Sequence, residues 1–228
     1  MAGSHSSHRP QPVEFVALAD KHEFTAPKKS LPATERDTAA NQQKREAWRE
    51  QIAEIDPARL VFVDESGLTR SMTRRYGRAP KGERVPGSVP LGHWEVTTLI
   101  GALGFDGVRA SFSVDAPTDA DIFQVFAEQV LRPALRPGNV VIWDNLPAHK
   151  APALKSVIES RQAMLLPLPP YAPDFNPIEQ CWSKVKEFLR SAQARTTEAL
   201  EQAIADGFAA VTASDARGWF RHCGYGSD

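Results

Sequence analysis

Two aspartates stand directly after short apolar runs. Asp64 follows Leu60 to Val63 (LVFV), and Asp144 follows Val140 to Trp143 (VVIW). Runs of this kind fit buried strands of a sheet, and the carboxyl ends of such strands are where α/β sheets carry ligand groups. A carboxylate at that position needs hydrogen-bond donors, a cation or a metal ion to offset its burial. Two carboxylates side by side repel and take up a proton unless a divalent cation neutralises them. Hard oxygen donors of this type suit Mg2+ or Mn2+. A third acid, Glu179, lies in the segment NPIEQCW. Its local setting has a plain reading: Asn176 as N-cap, Pro177 at the first helical position and Glu179 at the third make a capping box. Asp64 and Asp144-Asn145, taken singly, also read as turn signals. The ligand and cap readings of Glu179 both stand on the local sequence. Together the three acids point to metal-assisted phosphodiester cleavage, in which two ions activate the attacking oxygen and stabilise the leaving one.

The neighbours of these acids divide between chemistry and structure. Glu65 points away from Asp64 on a strand and is not counted as a ligand. Asn145 is a candidate outer-shell contact to a metal or phosphate, or a turn former. His149 is a candidate phosphate contact, or a polar residue at a helix start. Asp115, Asp119 and Asp121 are better explained by turns and helix caps. Arg70, Arg74, Arg75, Arg78, Lys81 and Arg84 crowd one segment opposed only by Glu83, with Gly77, Pro80 and Gly82 making it a loop or hairpin. A solvated loop is the plain account. Beside a phosphodiester site a phosphate-gripping surface is preferred. Lys186 continues the helix face of Glu179 and is a candidate DNA contact. Ile178, Trp182, Val185 and Leu189 form the core stripe of that helix, so Trp182 reads as core rather than a base-stacking residue. His93-Trp94 reads equally as a core pair at a strand start.

The elements that must position these residues follow from periodicity. Residues 1–30 mix Pro, His, Lys and Ser without a repeat and read as a flexible arm, its first eight residues (MAGSHSSH) as an expression remnant. Residues 31–57 hold a helix that Thr34 caps and that runs to about Ile55, with Trp48, Ile52 and Ile55 on one stripe; Asp56-Pro57 ends it. Residues 58–228 form the catalytic domain. Three strands come first: 60–63, 94–103 and 108–114, the last two joined by a Gly104–Gly107 turn. A helix capped by Thr118 with Asp121 runs to about Leu131. A strand at 140–143, a helix at 152–160, a strand at 164–166, a proline-dense loop at 167–177 and helices at 177–191 and 197–212 complete the order. The tail from Ser214 reads as irregular. This order fits an α/β fold whose mixed sheet, an antiparallel meander plus parallel strands, is flanked by helices.

Bulk properties exclude little but bound the partners. The chain has 228 residues, 42% of them hydrophobic, and a formal net charge of −1. That length suits one well-cored domain with appendages, or two small ones. Any nucleic-acid contact must come from local basic patches, not from net charge. Cys181 and Cys223 form no CxxC pair, so reduced thiols in the cytoplasm are expected. Cys223 and His222 read as surface residues near the chain end. No apolar run approaches the ~20 residues of a membrane span, and the N-terminus lacks a signal peptide's apolar core.

Three blocks of the sequence, VFVDESG, VIWDNLPAHK and LPPYAPDFNPIEQCWSKVK, resemble the signature blocks of mariner-like insertion-sequence transposases. These belong to the DDE group, named for its three acids. Between Asp144 and Glu179 lie 34 residues, the spacing of that superfamily. The likeness runs from about Lys28 to Tyr225 and is most specific in PPYAPDFNPIE. The resemblance implies a ribonuclease H-like fold, with Asp64, Asp144 and Glu179 as a catalytic triad holding two Mg2+ or Mn2+ ions. It implies cut-and-paste transfer: water frees a 3′-OH at a transposon end, and that 3′-OH attacks target DNA, at an expected TA dinucleotide. The partners implied are double-stranded DNA and a second copy of the chain, in the bacterial cytoplasm at the nucleoid. Such enzymes carry N-terminal helix-turn-helix domains, for which the residues before Lys28 leave no room, so a catalytic portion alone is expected. Two other readings are an inactive remnant that only binds DNA or a partner, and another ribonuclease H-like nuclease.

Overall fold

The computed structural model describes residues 34–74, 79–86, 96–116, 119–144 and 152–226. The chain divides into two units, residues 1–31 and 32–228. Every helix and strand of the described residues belongs to the second unit.

A 3-10 turn, Thr34–Asp37, precedes helix α1, Ala39–Ala53. The helix is capped by Thr38, whose hydroxyl accepts from the Asn41 N–H, and not by Thr34 as expected. Thr34 begins only the tight turn, and Ile55 lies beyond the helix, packed partly against the core. Strand β1, Leu60–Thr69, pairs antiparallel with β2, Val96–Gly104, which pairs antiparallel with β3, Gly107–Val114. The expected hairpin turn is present, and Gly107 at its end has φ +127°, a conformation open to glycine and strained for other residues. Helix α2, Ala120–Val125, passes into a π-helical stretch, Phe126–Leu131, and a last turn, α3, Arg132–Ala134. Its cap is Asp119, whose carboxylate accepts from the Ile122 N–H at 2.9 Å. The expected pairing of Thr118 with Asp121 is therefore replaced, and Thr118 itself lies outside the described residues. Strand β4, Val140–Trp143, helix α4, Pro152–Glu159, and strand β5, Met164–Pro167, follow. Then come α5, Ile178–Ala192, α6, Thr197–Ala209, and α7, Ala213–His222.

Helix α7 corrects the expectation of an irregular tail. Only Ala216 and Phe220 of this helix are buried, too short a stripe to register as a period. Thr212 and Asp215 form a reciprocal capping box at its start, and Asp215 binds Lys184 of α5. Cys223, read as a surface residue, is buried just beyond this helix, while His222 is exposed. Both cysteines are free thiols.

The sheet order is β3-β2-β1-β4-β5, antiparallel on one side of β1 and parallel on the other. Strand alternation sorts its side chains between two faces. Leu60, Phe62, Leu103, Val140 and Ile142 pack with Trp48 and Ile52 of α1, with α5 and α6, and with Phe220 of α7. Val61, Val63, Ile100, Val141 and Trp143 pack with Phe123, Phe126 and Leu131, and with Leu154 and Ile158 of α4. Both faces are covered, which is why β1 and β4 read as continuous apolar runs. Among the described residues no helix is long and apolar enough to cross a membrane.

Helix α1 is tied to the proline-dense loop by an ion pair between a buried arginine and an exposed aspartate. Arg45, 1% exposed, reaches Asp174 with both terminal nitrogens, Nη1 to Oδ1 at 3.2 Å and Nη2 to Oδ2 at 2.5 Å. Its guanidinium also lies 4.2 Å from the centroid of the Phe175 ring. Burial would raise the Asp174 carboxyl, but the hydrogen bonds and charge of Arg45, with Arg36, hold it below the usual carboxylate range. Removing one partner of such a pair strands the other. Asp174→Asn leaves the buried Arg45 charge without its counter-ion and is expected to destabilise the domain by about 3–5 kcal/mol, whereas Arg45→Ala leaves only the exposed Asp174 carboxylate unpaired and is expected to cost less; urea unfolding of the two variants checks the order.

Candidate active site

Asp64 lies midway along β1, not at its end as expected. The parallel pairing with β4 stops at Phe62↔Ile142, while the antiparallel pairing with β2 continues through Asp64↔Gly101 to Thr69↔Val96. The parallel half of the sheet thus ends just before Asp64 although the strand runs on. Asp64 shares the parity of Leu60 and Phe62, and Asp144 that of Val140 and Ile142, so both continue the face covered by α5 and α6. Asp144 follows β4 directly. The next strand's extension keeps the loop beside it, because the Leu168 N–H donates to the Trp143 carbonyl at 2.8 Å.

Glu179 enters from the first turn of α5, and the capping-box reading of this turn is overturned. The helix has no side-chain cap. The Asn176 amide instead donates through Nδ2 to Asp64 Oδ2 at 3.4 Å. Freed from a reciprocal box, Glu179 lines the same cavity as the two aspartates. That cavity, about 480 Å³, is lined by Asp64, Asp144, Asn176, Glu179 and the loop from Leu168 to Pro173.

Asp64 is held by two side-chain donors. The Trp182 indole donates through Nε1 to Asp64 Oδ2 at 3.2 Å, so this oxygen receives both Trp182 and Asn176. The indole reaches it because the strand opposite has no side chain there. A Cβ on Gly101 would come within 2.7 Å of Trp182 Cη2. Burial, then the charge of Glu179, pushes the Asp64 carboxyl up to about 7 against the Glu65 N–H and the Trp182 indole. Burial also raises Glu179, and the charge of Lys186 pulls it back.

This donor set fits a hard divalent cation. Three carboxylates line the cavity, and none of its described lining residues is Lys or Arg. Asn176 Oδ1 is buried and has no hydrogen-bond partner among the described residues, although a buried carbonyl oxygen ordinarily has one. Among the described residues no three His, Cys, Asp or Glu side chains are gathered tightly enough to hold one ion together. The acids share a cavity without forming a closed cluster.

The basic residues are distributed differently from the sequence expectation. Arg70 donates to Thr197 Oγ1 at 2.9 Å, and Arg74 donates twice to Ser191 Oγ, at 2.9 and 2.7 Å. Arg195 holds the carbonyls of Arg70 and Met72. Arg74 therefore docks at the far end of α5, twelve residues beyond Glu179 or about 18 Å along the helix, and not against the carboxylates. Lys81 and Arg84 are exposed. Lys186 lies two turns along α5 from Glu179. Arg75, Arg78, His93, Trp94, Asn145 and His149 lie outside the described residues.

Three parts of the site were not read from the sequence: Trp182 and Asn176 as donors to Asp64, Gly101 as the gap that admits the indole, and Arg45 as the tether of the loop. Trp182 stands one turn from Glu179 and is buried as expected; its hydrogen bond crosses to another element. Gly101 did carry a signal, since an isolated glycine inside a strand marks a close approach.

Residues 59–201 match the profile of a family described as DDE superfamily endonuclease. No curated protein sequence matches the chain. Three solved structures share its fold at low identity. A Mos1 transposase paired-end complex with the left transposon end aligns at TM-score 0.69 and 17% identity, over 91% of this chain and 64% of that one. A Mos1 mariner paired-end complex with Mn aligns at 0.64 and 19%, over 86% and 62%. The catalytic domain of Mos1 mariner transposase aligns at 0.57 and 18%, over 86% and 91%. The chain thus spans under two thirds of the longer relatives and most of the isolated catalytic domain. The five-stranded mixed sheet is the ribonuclease H-like arrangement of these proteins.

Gly101→Ala should displace the Trp182 indole, destabilise the domain by about 1–3 kcal/mol and weaken Mn2+ binding measured by calorimetry. Unchanged Mn2+ affinity would separate Gly101 from the site. The raised Asp64 carboxyl has its own signature in the protein without metal. The folded state keeps the proton to about pH 7, whereas the unfolded chain loses it near ~4. The stabilisation from protonated Asp64 is therefore full at low pH and is lost as pH rises from about 4 through 7. Asp64→Asn should match the native chain near pH ~4 and exceed it at pH ~8, by at most about 4 kcal/mol; thermal melts across this range test it.

Proposed function

Because the chain belongs to the DDE superfamily of endonucleases, we propose that it is a transposase catalytic domain that cuts DNA and joins the 3′-OH it frees to a target. The observation that carries the reading is that Asp64, Asp144 and Glu179, from two strands and a helix, line one cavity. These residues would hold divalent cations, Mg2+ or Mn2+ and two in the finer form of the proposal, which supply Lewis acidity for the attacking and leaving oxygens of a phosphodiester. Among the protein's own groups, Trp182 and Asn176 orient Asp64 by fixing one of its oxygens. Glu179 stands on the exposed rim, where a carboxylate can adjust to substrate. The loop from Leu168 to Pro173 walls the cavity on one side and limits water.

The DNA would run from this cavity along α5. Lys186 is the first cation on that path, with Arg70 and Arg74 at its far end. The Arg74 guanidinium carries more N–H donors than Ser191 accepts. Arg75, Arg78 and Lys81 extend the same basic segment in sequence, and Asn145 and His149, which follow Asp144 in sequence, belong to the reading as contacts to a bound phosphate. Charge placed in a local track, in a chain of net charge −1, suits backbone contacts that position DNA without reading it. Two transposon ends need two active sites, so a homodimer is part of the reading, as is action at the nucleoid in the bacterial cytoplasm.

Supercoiled plasmid incubated with the chain and Mn2+ tests this. Nicking is expected, with loss in EDTA and a drop of at least about 100-fold in Asp144→Ala and in Asp64→Asn. Nicking that survives both substitutions, or DNA binding without any nicking in Mn2+, would overturn it.

A further inference from the structure

Tyr171 is conspicuous on the wall of the catalytic cavity. It lines the cavity that holds the three carboxylates, and it is 49% exposed. Its backbone has φ +56°, a left-handed conformation that a bulky residue adopts only where the surroundings impose it. The surroundings do impose it. Arg45, buried under the loop, donates from Nη1 to the Tyr171 carbonyl at 3.4 Å while gripping Asp174 and lying over Phe175. Leu168 and Ala172 are buried on either side, and Leu168 is hydrogen-bonded to the end of β4. Pro169, Pro170 and Pro173 stiffen what remains. The fold thus commits a buried arginine to holding a short loop that leaves a large aromatic ring half in solvent.

We propose that Tyr171 is a stacking platform for a nucleobase next to the scissile phosphate, a role that rests on the DNA-cutting reading. The chemistry of the cavity separates into two sides: carboxylates for the phosphate through a cation, and an apolar proline and tyrosine wall for what a nucleotide carries beside its phosphate. A base presents a flat π-face, and an aromatic ring takes it without regard to sequence. A ring carried on a backbone held in place has less conformational freedom to lose on binding. An unpaired base at a DNA end or nick is the ligand this wall fits, because a paired base offers its face only to its neighbours in the stack.

The test uses the full chain with Ca2+ and a short single-stranded oligothymidylate carrying one 2-aminopurine. This base analogue loses fluorescence when it stacks on an aromatic ring. Binding should quench it. Tyr171→Phe should quench equally, and Tyr171→Ala should lose the quenching and raise Kd about tenfold, with thermal stability close to that of the native chain. Quenching and Kd unchanged in Tyr171→Ala would overturn the proposal, as would oligonucleotide binding without quenching in the native chain. Failure of the native chain to bind this probe while it still nicks plasmid in Mn2+ would also overturn it, leaving the DNA-cutting reading intact. Loss of plasmid nicking as well would remove that reading too.

Discussion

A carboxylate placed inside a sheet is the constraint around which the rest of this domain is arranged. Asp64 occupies the middle of the central strand, where burial alone drives its carboxyl toward the neutral form. The fold answers with two donors on one oxygen, an indole from α5 and an amide from the residue before that helix's first turn. For the indole to arrive, the neighbouring strand must lack a side chain at Gly101. The donors, the gap and the acid form one arrangement shared by β1, β2 and α5. Moving α5 would displace Trp182, Asn176 and Glu179 together, so packing of that helix against the sheet and geometry of the site are a single property.

The second arrangement protects the first from the other side. The loop from Leu168 to Asn176 begins directly after β5, where the Leu168 N–H donates to Trp143 of β4 beside Asp144, and ends on the residue that holds Asp64. Being rich in proline it is stiff, but stiffness does not choose a position. Arg45 chooses it, from α1, by binding Asp174, the Tyr171 carbonyl and the face of Phe175. A helix that reads as an N-terminal element thereby fixes the loop that lines the cavity. The free energy of such an ion pair is small on balance; its geometric effect, one loop conformation in place of many, is what the cavity requires.

Function follows from what this scaffold leaves open. Donors are concentrated on Asp64, while Glu179 stands at the rim. A site with one carboxylate held by two donors and one exposed at the rim is in keeping with an endonuclease family. Among the described residues no Lys or Arg lines the cavity of the three carboxylates.

Much of this was legible in the sequence because it depends on near neighbours. Apolar runs and alternation located the five strands along the chain and a mixed sheet with helices on its faces, while pairing with β2 carries β1 on to Thr69 and makes it the central strand. The acids after LVFV and VVIW, and the proline-dense block with its 34-residue spacing, determined the triad's candidates and the family. What only the tertiary structure decided are matters of partners far apart in the chain. Asn176 looks like a helix cap until its amide is found on Asp64, 112 residues away. Trp182 looks like plain core until its N–H crosses 118 residues to the same oxygen. Arg45 looks like a surface helix residue until it meets Asp174, 129 residues on. Helix α7 shows no usable period because it buries only two side chains. Local rules weigh a residue against its nearest neighbours in the chain, and a polar group chooses between such a neighbour and a distant partner only when the fold has brought both within reach.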